Sequence, residues 1–373
     1  MKKRTICLLL AGVLTMMCMG CGSKNEPPKS EEPQVETTDP AASETDDLKP
    51  EGEAANSISI GTHPSGSGFH SIGSGVASVV SAHSKSQMIV RPTSGPGAWM
   101  PMLAEGQMDT GLANDLEIKW AVEGNELAGY EKTPNLRLIC QGNKMTVTGM
   151  VVRADSGITG SEDLKGKKVA TGYGGNYAGD VYTEAYFASV GLTWDDVVAT
   201  PVSSTTDALT KLQDGEIDSA YGLSTTTPAA MEVANAVGLK LLPWGDWDVN
   251  DFEHFPEDKA AVIRDMTGFT LCVYPAGTGY LTEDSIGAYY NNMLVCRNEL
   301  SEATVYGILD AIYNNTEELG EIYAQLKLWT PDVMFTETPS CPYHPGAVKF
   351  FKAQGLWTDT AEANQQALLA KMG

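Results

Sequence analysis

The chain has 373 residues, of which 42% are hydrophobic, and a formal net charge of −23 at pH 7. So acidic a balance argues against binding to nucleic acid, which needs a basic surface. No histidine pair has the HExxH spacing of common metal sites, and none of the four cysteines after Cys21 has the CxxC spacing of common metal or redox sites. We therefore expect no nucleic-acid partner, no metal and no cofactor.

The N-terminus has the charge order and length of a secretory signal peptide. Residues 2–4 are basic and precede an apolar run to about residue 19, which is too short to span a membrane. Gly20 directly before Cys21 resembles the lipobox of bacterial lipoproteins, in which the cysteine is lipidated after cleavage. We expect a signal peptide over 1–20, a lipid on Cys21, and an extracytoplasmic protein attached to the cell membrane by that lipid alone.

The segment after Cys21 has the composition of a tether. Residues 22–54 contain ten acidic and three basic residues, five prolines and almost no side chains able to form a core. Low hydrophobicity combined with net charge is typical of a solvated, extended chain. We therefore predict an acidic disordered tether over 21–54.

From residue 56 onward, strand-like and helix-like segments alternate, which is the pattern of mainly parallel sheets with crossover helices. The length after the tether favours two lobes. We predict one lobe from 55–148 and 290–373 and a second from 149–289, with crossing segments near 144–152 and 285–296 acting as a hinge. Strands are predicted at 57–60, 87–90, 108–113, 136–140, 145–152, 167–171, 197–202, 217–221, 239–242 and 289–295.

Four widely spaced cysteines follow Cys21, and the sequence leaves their pairing open. Cys140 and Cys272 lie in apolar, strand-like runs. For these two we favour buried free thiols that act as small hydrophobes.

Two Ser/Gly-rich turns lie between a predicted strand and a predicted helix, one in each lobe. Such turns direct unpaired amides from a helix N-terminus at an anion, and glycine allows the ligand to approach closely. The turn after the 87–90 strand has a similar position. We expect ligand contacts from Ser65, Gly66, Ser67, Gly68, Phe69, Ser94, Gly95, Pro96, Gly174, Gly175, Asn176 and Tyr177.

Two further polar pairs stand where a strand leads into a helix: Asn114 with Asp115, and Thr225 with Thr226. Each pair either contacts the ligand or only caps its helix, and we include all four as candidates. For Trp99 we favour packing in the core over stacking on the ligand. His344 is expected to form an architectural turn.

Several short segments, taken in their order and spacing, resemble the TRAP-associated extracytoplasmic immunogenic (TAXI) family of transporter solute-binding proteins. The similar segments are 57–75, 154–167, 191–197, 214–218 and 344–347, within a resemblance that covers roughly 57–357. The resemblance implies an α/β fold of the type II periplasmic-binding-protein class, with two lobes joined by a hinge and a ligand cleft between them. It implies capture of a small carboxylate or amino-acid-like solute by hinge closure and its delivery to a TRAP-type membrane permease.

The chain departs from the family pattern beside the expected ligand contacts, at Phe69-His70 and at Asn176-Tyr177. We therefore expect a small anionic or zwitterionic solute and do not carry over the family's glutamate or 2-oxoglutarate. Two alternatives stay open: a ligand-sensing lipoprotein that serves a membrane receptor, and an enzyme of the same fold. The chain has no GxSxG elbow, Cys/His pair or P-loop, so we predict that it is not an enzyme.

Overall fold

The computed structural model describes residues 48–126, 128–222 and 224–372. The predicted signal peptide, Cys21 and most of the predicted tether lie outside these residues. The strands are β1 (Ser57–Thr62), β2 (Gln87–Pro92), β3 (Thr110–Asn114), β4 (Leu136–Val147), β5 (Met150–Arg153), β6 (Lys168–Thr171), β7 (Val198–Pro201), β8 (Ser219–Tyr221), β9 (Leu239–Leu241), β10 (Thr270–Tyr274) and β11 (Ser285–Arg297). The helices are α1 (Gly68–His83), α2 (Pro96–Ala104), α3 (Asp115–Glu123), α4 (Ala178–Val190), α5 (Thr205–Asp214), α6 (Pro228–Val237), α7 (Glu257–Thr267), α8 (Glu302–Tyr313), α9 (Thr316–Ile322), α10 (Pro331–Met334), α11 (Pro345–Ala353) and α12 (Asp359–Met372).

The strands of the described residues form two sheets. The first has the order β10-β11-β3-β1-β2, with β4 also paired to β11, and the second has the order β7-β6-β8-β5-β9. In the first sheet β1 is parallel to β2 and β3, whereas β11 is antiparallel to all its partners. We call the first sheet with its helices lobe 1 and the second lobe 2. The predicted fold class, two α/β lobes, is confirmed.

The route between the sheets differs from the predicted hinge in one place. The chain passes from β4 to β5 through Thr148 and Gly149, as expected, but 285–296 does not cross. This segment belongs to β11, which stays in the first sheet and pairs with β3, β4 and β10. The return to lobe 1 lies between β9 and β10 instead. The exact lobe boundaries stay a prediction.

Trp99 packs in the core of lobe 1, as the sequence favoured. Its side chain is fully buried and lies flat against β1 and β3. A Cβ atom at Gly61 would approach Trp99 Cγ to 2.7 Å, and one at Gly111 would approach its Cη2 to 2.5 Å. Because Gly61 and Gly111 have no side chains, the indole of Trp99 can pack directly against the two strands.

The chain from residue 48 to 56 is bound to lobe 1, although the tether was predicted to extend to 54. The amide of Glu51 donates to Glu302 Oε2 over 2.8 Å, and the amide of Ala55 donates to Thr304 Oγ1 over 2.9 Å. Lys349 Nζ lies 2.8 Å from Glu302 Oε2 and 3.6 Å from Glu51 Oε1. Hydrogen bonds between chain segments far apart in sequence were not visible in the composition.

The four described cysteines are free thiols, and Cys272 is half-buried whereas the others are buried. Burial raises the pKa of the Cys140 thiol, so this side chain behaves as a small apolar group. Among the described helices, none combines the length and apolar character that a membrane crossing requires.

Candidate functional site

A small cavity lies between the two lobes. Its volume is about 20 Å³, measured as space open to the centre of a water molecule. By the same measure one water needs roughly 10–15 Å³, so the cavity has room for little more than one water molecule. The lobes are therefore closed upon each other, and a solute enters only if they separate. The cavity is lined by His63, Ser67, Gly68, Phe69, Asn114, Met145, Asn176, Tyr182, Tyr221, Ser224 and Tyr290.

The first Ser/Gly-rich turn brings the start of α1 to the cavity. Ser67 is the N-cap of α1, and its Oγ accepts a hydrogen bond from the amide of His70 over 3.2 Å. Gly68 and Phe69 form the first helical turn, where no helix carbonyl is available to their amides. This wall of the cavity therefore carries the partial positive charge of a helix N-terminus.

Asn114 joins the two lobes through a buried network. It is the N-cap of α3, and its Oδ1 accepts from the amide of Glu117 over 2.8 Å. Its Nδ2 donates to Glu117 Oε2 over 2.5 Å and to the hydroxyl of Tyr182, on α4 of lobe 2, over 2.7 Å. Asn114 therefore caps its helix and also lines the cavity, so the two alternatives of the sequence are not exclusive.

Two acidic residues lie beside Asn114, of which Glu117 is buried and Asp115 is half-buried. Glu117 is fully buried, and Oε1 accepts from the hydroxyl of Tyr130 over 3.0 Å. Burial, as the largest cause, raises the pKa of Glu117 to about 7 and that of Asp115 to about 6. The negative charge near this wall is therefore sensitive to pH.

Aromatic rings connect the lobes through the cavity. Successive centroid distances are 4.7, 6.3, 5.7, 4.5 and 5.0 Å along the series His63, Phe69, Tyr290, Phe269, Tyr182 and Tyr221. His63 is 6% exposed, and its Nε2 has no hydrogen-bond partner. Burial lowers the pKa of His63 to about 3, so its imidazole is neutral at pH 7.

The second Ser/Gly-rich turn contributes one side chain to the cavity, that of Asn176. Gly174 has φ +55°, and a Cβ atom there would overlap the carbonyl oxygen of Ser203, so its packing requires glycine. Gly175 ends the short 3₁₀ turn that begins at Tyr173. Tyr177 lies in a separate cleft of about 270 Å³, beside Tyr130.

Several predicted contact residues lie outside the cavity wall. Thr225 is fully buried, its Oγ1 has no hydrogen-bond partner, and its carbonyl accepts from the amide of Tyr280 over 3.3 Å. Gly66 instead joins the lobes, because its carbonyl accepts from the amide of Ala229 on α6 over 3.1 Å. The described candidates absent from the cavity lining are Ser65, Gly66, Ser94, Gly95, Pro96, Asp115, Gly174, Tyr177, Thr225 and Thr226. Ligand contact by these residues stays a prediction.

Six lining residues were missed by the sequence analysis: His63, Met145, Tyr182, Tyr221, Ser224 and Tyr290. Two had an available signal, since His63 follows β1 and Tyr221 ends β8, and ligands gather at the carboxyl ends of strands in α/β sheets. Tyr290 lies inside a long strand, and nothing local marks it. Its place follows only from the pairing of β11 with β4.

Two α/β lobes that close on a cavity walled from both sides define the fold of the type II periplasmic-binding-protein class. The sequence model of the NMT1-like family matches residues 60–355. The chain belongs to that family. Among the described residues, no group of histidine, cysteine, aspartate or glutamate side chains is arranged to hold a metal ion.

Solved structures with a similar arrangement include three of low sequence identity. The periplasmic aliphatic sulphonate binding protein SsuA from Escherichia coli is 16% identical, with 84% of this chain and 79% of that chain covered and a TM-score of 0.42. The alkanesulfonate-binding protein SsuA from Xanthomonas axonopodis pv. citri, bound to MOPS, is 14% identical, with 86% and 99% covered and a TM-score of 0.44. The R. palustris protein Rpa4515, solved with adipate, is 12% identical, with 71% and 87% covered and a TM-score of 0.46. At TM-scores below 0.5, these similarities carry no argument about the ligand.

Proposed function

We propose that the protein is an extracytoplasmic solute-binding lipoprotein of a TRAP-type transporter of the TAXI kind. It captures a small anionic or zwitterionic solute by closure of its lobes and delivers it to a membrane permease. The observation that carries this proposal is the cavity between the lobes, whose wall takes residues from both of them. Closure around a solute is the motion that such a wall requires.

The wall has the chemistry of a binding site for a small polar molecule. It combines aromatic rings with a few convergent polar groups, which is typical of ligand pockets. The start of α1 and the side chains of Ser67, Asn176 and Ser224 supply hydrogen-bonding groups without a full charge. Among the described residues, the wall includes no lysine, arginine, aspartate, glutamate or cysteine. This composition favours binding without turnover.

The sequence supports the location and the partner. The signal-peptide pattern and Gly20-Cys21 favour export and a lipid anchor. The TAXI resemblance favours a TRAP-type permease over other membrane partners. Attachment to the membrane is then through the lipid on Cys21 alone.

The proposal is tested by thermal unfolding of the purified domain that begins at residue 48. A panel of amino acids, their amides and N-methylated forms, and small carboxylates is screened, after native mass spectrometry of the protein as purified. A solute at a thousand times its dissociation constant stabilises the folded state by about 4 kcal/mol. We expect at least one of these solutes to raise the melting temperature.

Matched asparagine variants locate the binding. Asn176→Ala removes a side chain of the cavity wall and is expected to lose the shift in melting temperature. Asn250→Ala removes an exposed side chain that does not line the cavity and is expected to keep it. A panel in which no solute stabilises the wild-type domain contradicts the proposed function.

A further inference from the structure

We propose that the site between the lobes, when they separate to admit a solute, binds a compact zwitterion of the betaine type, with its methylated ammonium group among the aromatic rings and its carboxylate at the start of α1. This inference rests on the proposed solute-binding function and names the ligand class of the same site. Three observations support it: the rings on the wall, the charges around it, and an unpartnered histidine nitrogen.

The rings surround the cavity from both lobes. Phe69 belongs to α1, Tyr290 to β11, and Tyr182 and Tyr221 to lobe 2, and all four line the cavity. Aromatic faces attract a cation electrostatically, most strongly where water is excluded, and such cages are a common way to bind methylated ammonium groups. All four side chains are at least nine-tenths buried. A cation placed among them is therefore held in a site from which water is excluded.

The charges near these rings favour a cation over an anion. The described wall has no basic side chain, and its histidine is neutral at pH 7. Burial raises the pKa of Tyr182, Tyr221 and Tyr290, and the electrostatic interaction of each hydroxyl with Glu117, which is hydrogen-bonded to Asn114, raises it further. A dicarboxylate in this place would face a buried carboxyl group without a basic partner, which is costly.

The polar groups near the rings favour an ammonium without N–H donors. Tyr182 OH already accepts from Asn114 Nδ2, and Tyr290 OH donates to Met145 Sδ over 3.3 Å. A primary ammonium brings three donors, and each buried donor without an acceptor costs free energy. N-methyl groups need no acceptor and pack against rings instead.

The other side of the cavity suits a carboxylate. The amides of Gly68 and Phe69 lie in the first turn of α1, where anions bind well. His63 Nε2 has no hydrogen-bond partner, and the ring of His63 stacks on Phe69 at 4.7 Å. The tautomer with hydrogen on Nε2 donates to a carboxylate at that position. One end of the cavity therefore takes a cation and the other an anion.

The test is a titration-calorimetry series on the wild-type domain with glycine, N-methylglycine, N,N-dimethylglycine and N,N,N-trimethylglycine. We expect affinity to rise with each methyl group, by about tenfold or more over the series. Choline, which keeps the methylated ammonium and lacks the carboxylate, is expected to bind more weakly than trimethylglycine. Glutamate and succinate are titrated in the same way, as the dicarboxylates for comparison.

Variants of one ring separate its aromatic face from its hydroxyl. Tyr290→Leu is expected to weaken trimethylglycine by about tenfold, whereas Tyr290→Phe keeps most of the affinity. Circular dichroism and melting temperature confirm that each variant folds. If glycine or a dicarboxylate binds more tightly than trimethylglycine, the betaine class is wrong and the solute-binding function stands. If no solute of either kind binds the folded wild-type protein, both are wrong.

Discussion

At the residue scale, the buried carboxyl group of Glu117 distinguishes this site from an ordinary anion-binding site. Its carboxyl group is fully buried, accepts from Asn114 and Tyr130, and has a pKa raised to about 7 by burial. The hydrogen bonds favour the charged form and burial disfavours it, and burial wins. The group therefore loses its proton near neutral pH.

The raised pKa of Glu117 predicts a measurable pH dependence of stability. Its ordinary pKa is 4.5 and its folded-state pKa is about 7, so between these values the folded state binds more protons than the unfolded state. The free energy of unfolding of the wild type should then fall, relative to Glu117→Gln, by on the order of 3 kcal/mol between pH 4 and pH 8. Urea unfolding of both proteins across this range measures the difference. His63, whose shift has the opposite sign, is common to both and cancels, and parallel pH profiles would contradict the prediction.

The part of the site that the sequence predicted consists of residues at strand-to-helix turns. Ser67, Gly68, Phe69 and Asn176 were named because a helix start has unpaired amides, and Asn114 was named as a helix cap or ligand contact; all five line the cavity. The aromatic residues were not named, because a buried tyrosine in a helix or strand has the same local pattern whether it packs in a core or lines a cavity. Only the closure of the two lobes distinguishes the two cases.

At the element scale, most strands and helices follow from hydrophobic periodicity and from turn residues. The structure differs where tertiary pairing extends a strand. The runs predicted at 136–140 and at 145–152 are joined differently, as the single strand β4 to Val147 and the separate β5. β4 continues because it pairs with β11 over almost its whole length, a contact between segments about 150 residues apart that no local pattern contains.

The start of α1 gives a prediction at this scale. A Cβ atom at Gly68 would overlap Met145 Cε and lie 3.2 Å from Thr227 Cγ2, so Gly68→Ala pushes the flexible Met145 side chain into the cavity. We expect solute affinity to fall by about tenfold, because an overpacked site costs about 1–3 kcal/mol, while the protein remains folded. Calorimetric titration measures the affinity.

Gly307→Ala is the matched control. Gly307 lies in α8, and a Cβ atom there meets nothing within 4 Å. This variant should keep the affinity and gain up to about 1 kcal/mol of stability, since alanine is a better helix former than glycine. Equal solute affinities in Gly68→Ala and Gly307→Ala would show that Gly68 is not part of the binding site.

At the scale of the whole molecule, aromatic rings join the two lobes, and so do polar contacts. The hydrogen bond from Asn114 Nδ2 to Tyr182 OH is one of them, and that from the amide of Ala229 to the carbonyl of Gly66 is another. Because single hydrogen bonds contribute about 1 kcal/mol, removing one of them should shift the balance between the closed form and the proposed open form.

Tyr182→Phe removes the accepting hydroxyl and should shift the molecule toward the open form. We expect a larger radius of gyration without solute and an affinity lower by roughly 2- to 10-fold, as the closed population falls. Small-angle scattering and calorimetry measure these quantities.

Tyr173→Phe is the control, because that hydroxyl accepts from the amide of Tyr221 within lobe 2, over 3.0 Å. It should cost stability without changing the radius. An unchanged radius for Tyr182→Phe would show that this contact does not hold the lobes together.

The attachment of residues 48–56 to lobe 1 determines which lobe can move relative to the N-terminal segment. Lys349 and Glu302 hold Glu51 on lobe 1, so any pull along the chain from Cys21 reaches lobe 1 first. In the proposed lipoprotein, lobe 1 would then stay next to the lipid anchor, and lobe 2 would be the lobe that moves on closure. A membrane partner that distinguishes loaded from empty protein would do so by sensing the position of lobe 2.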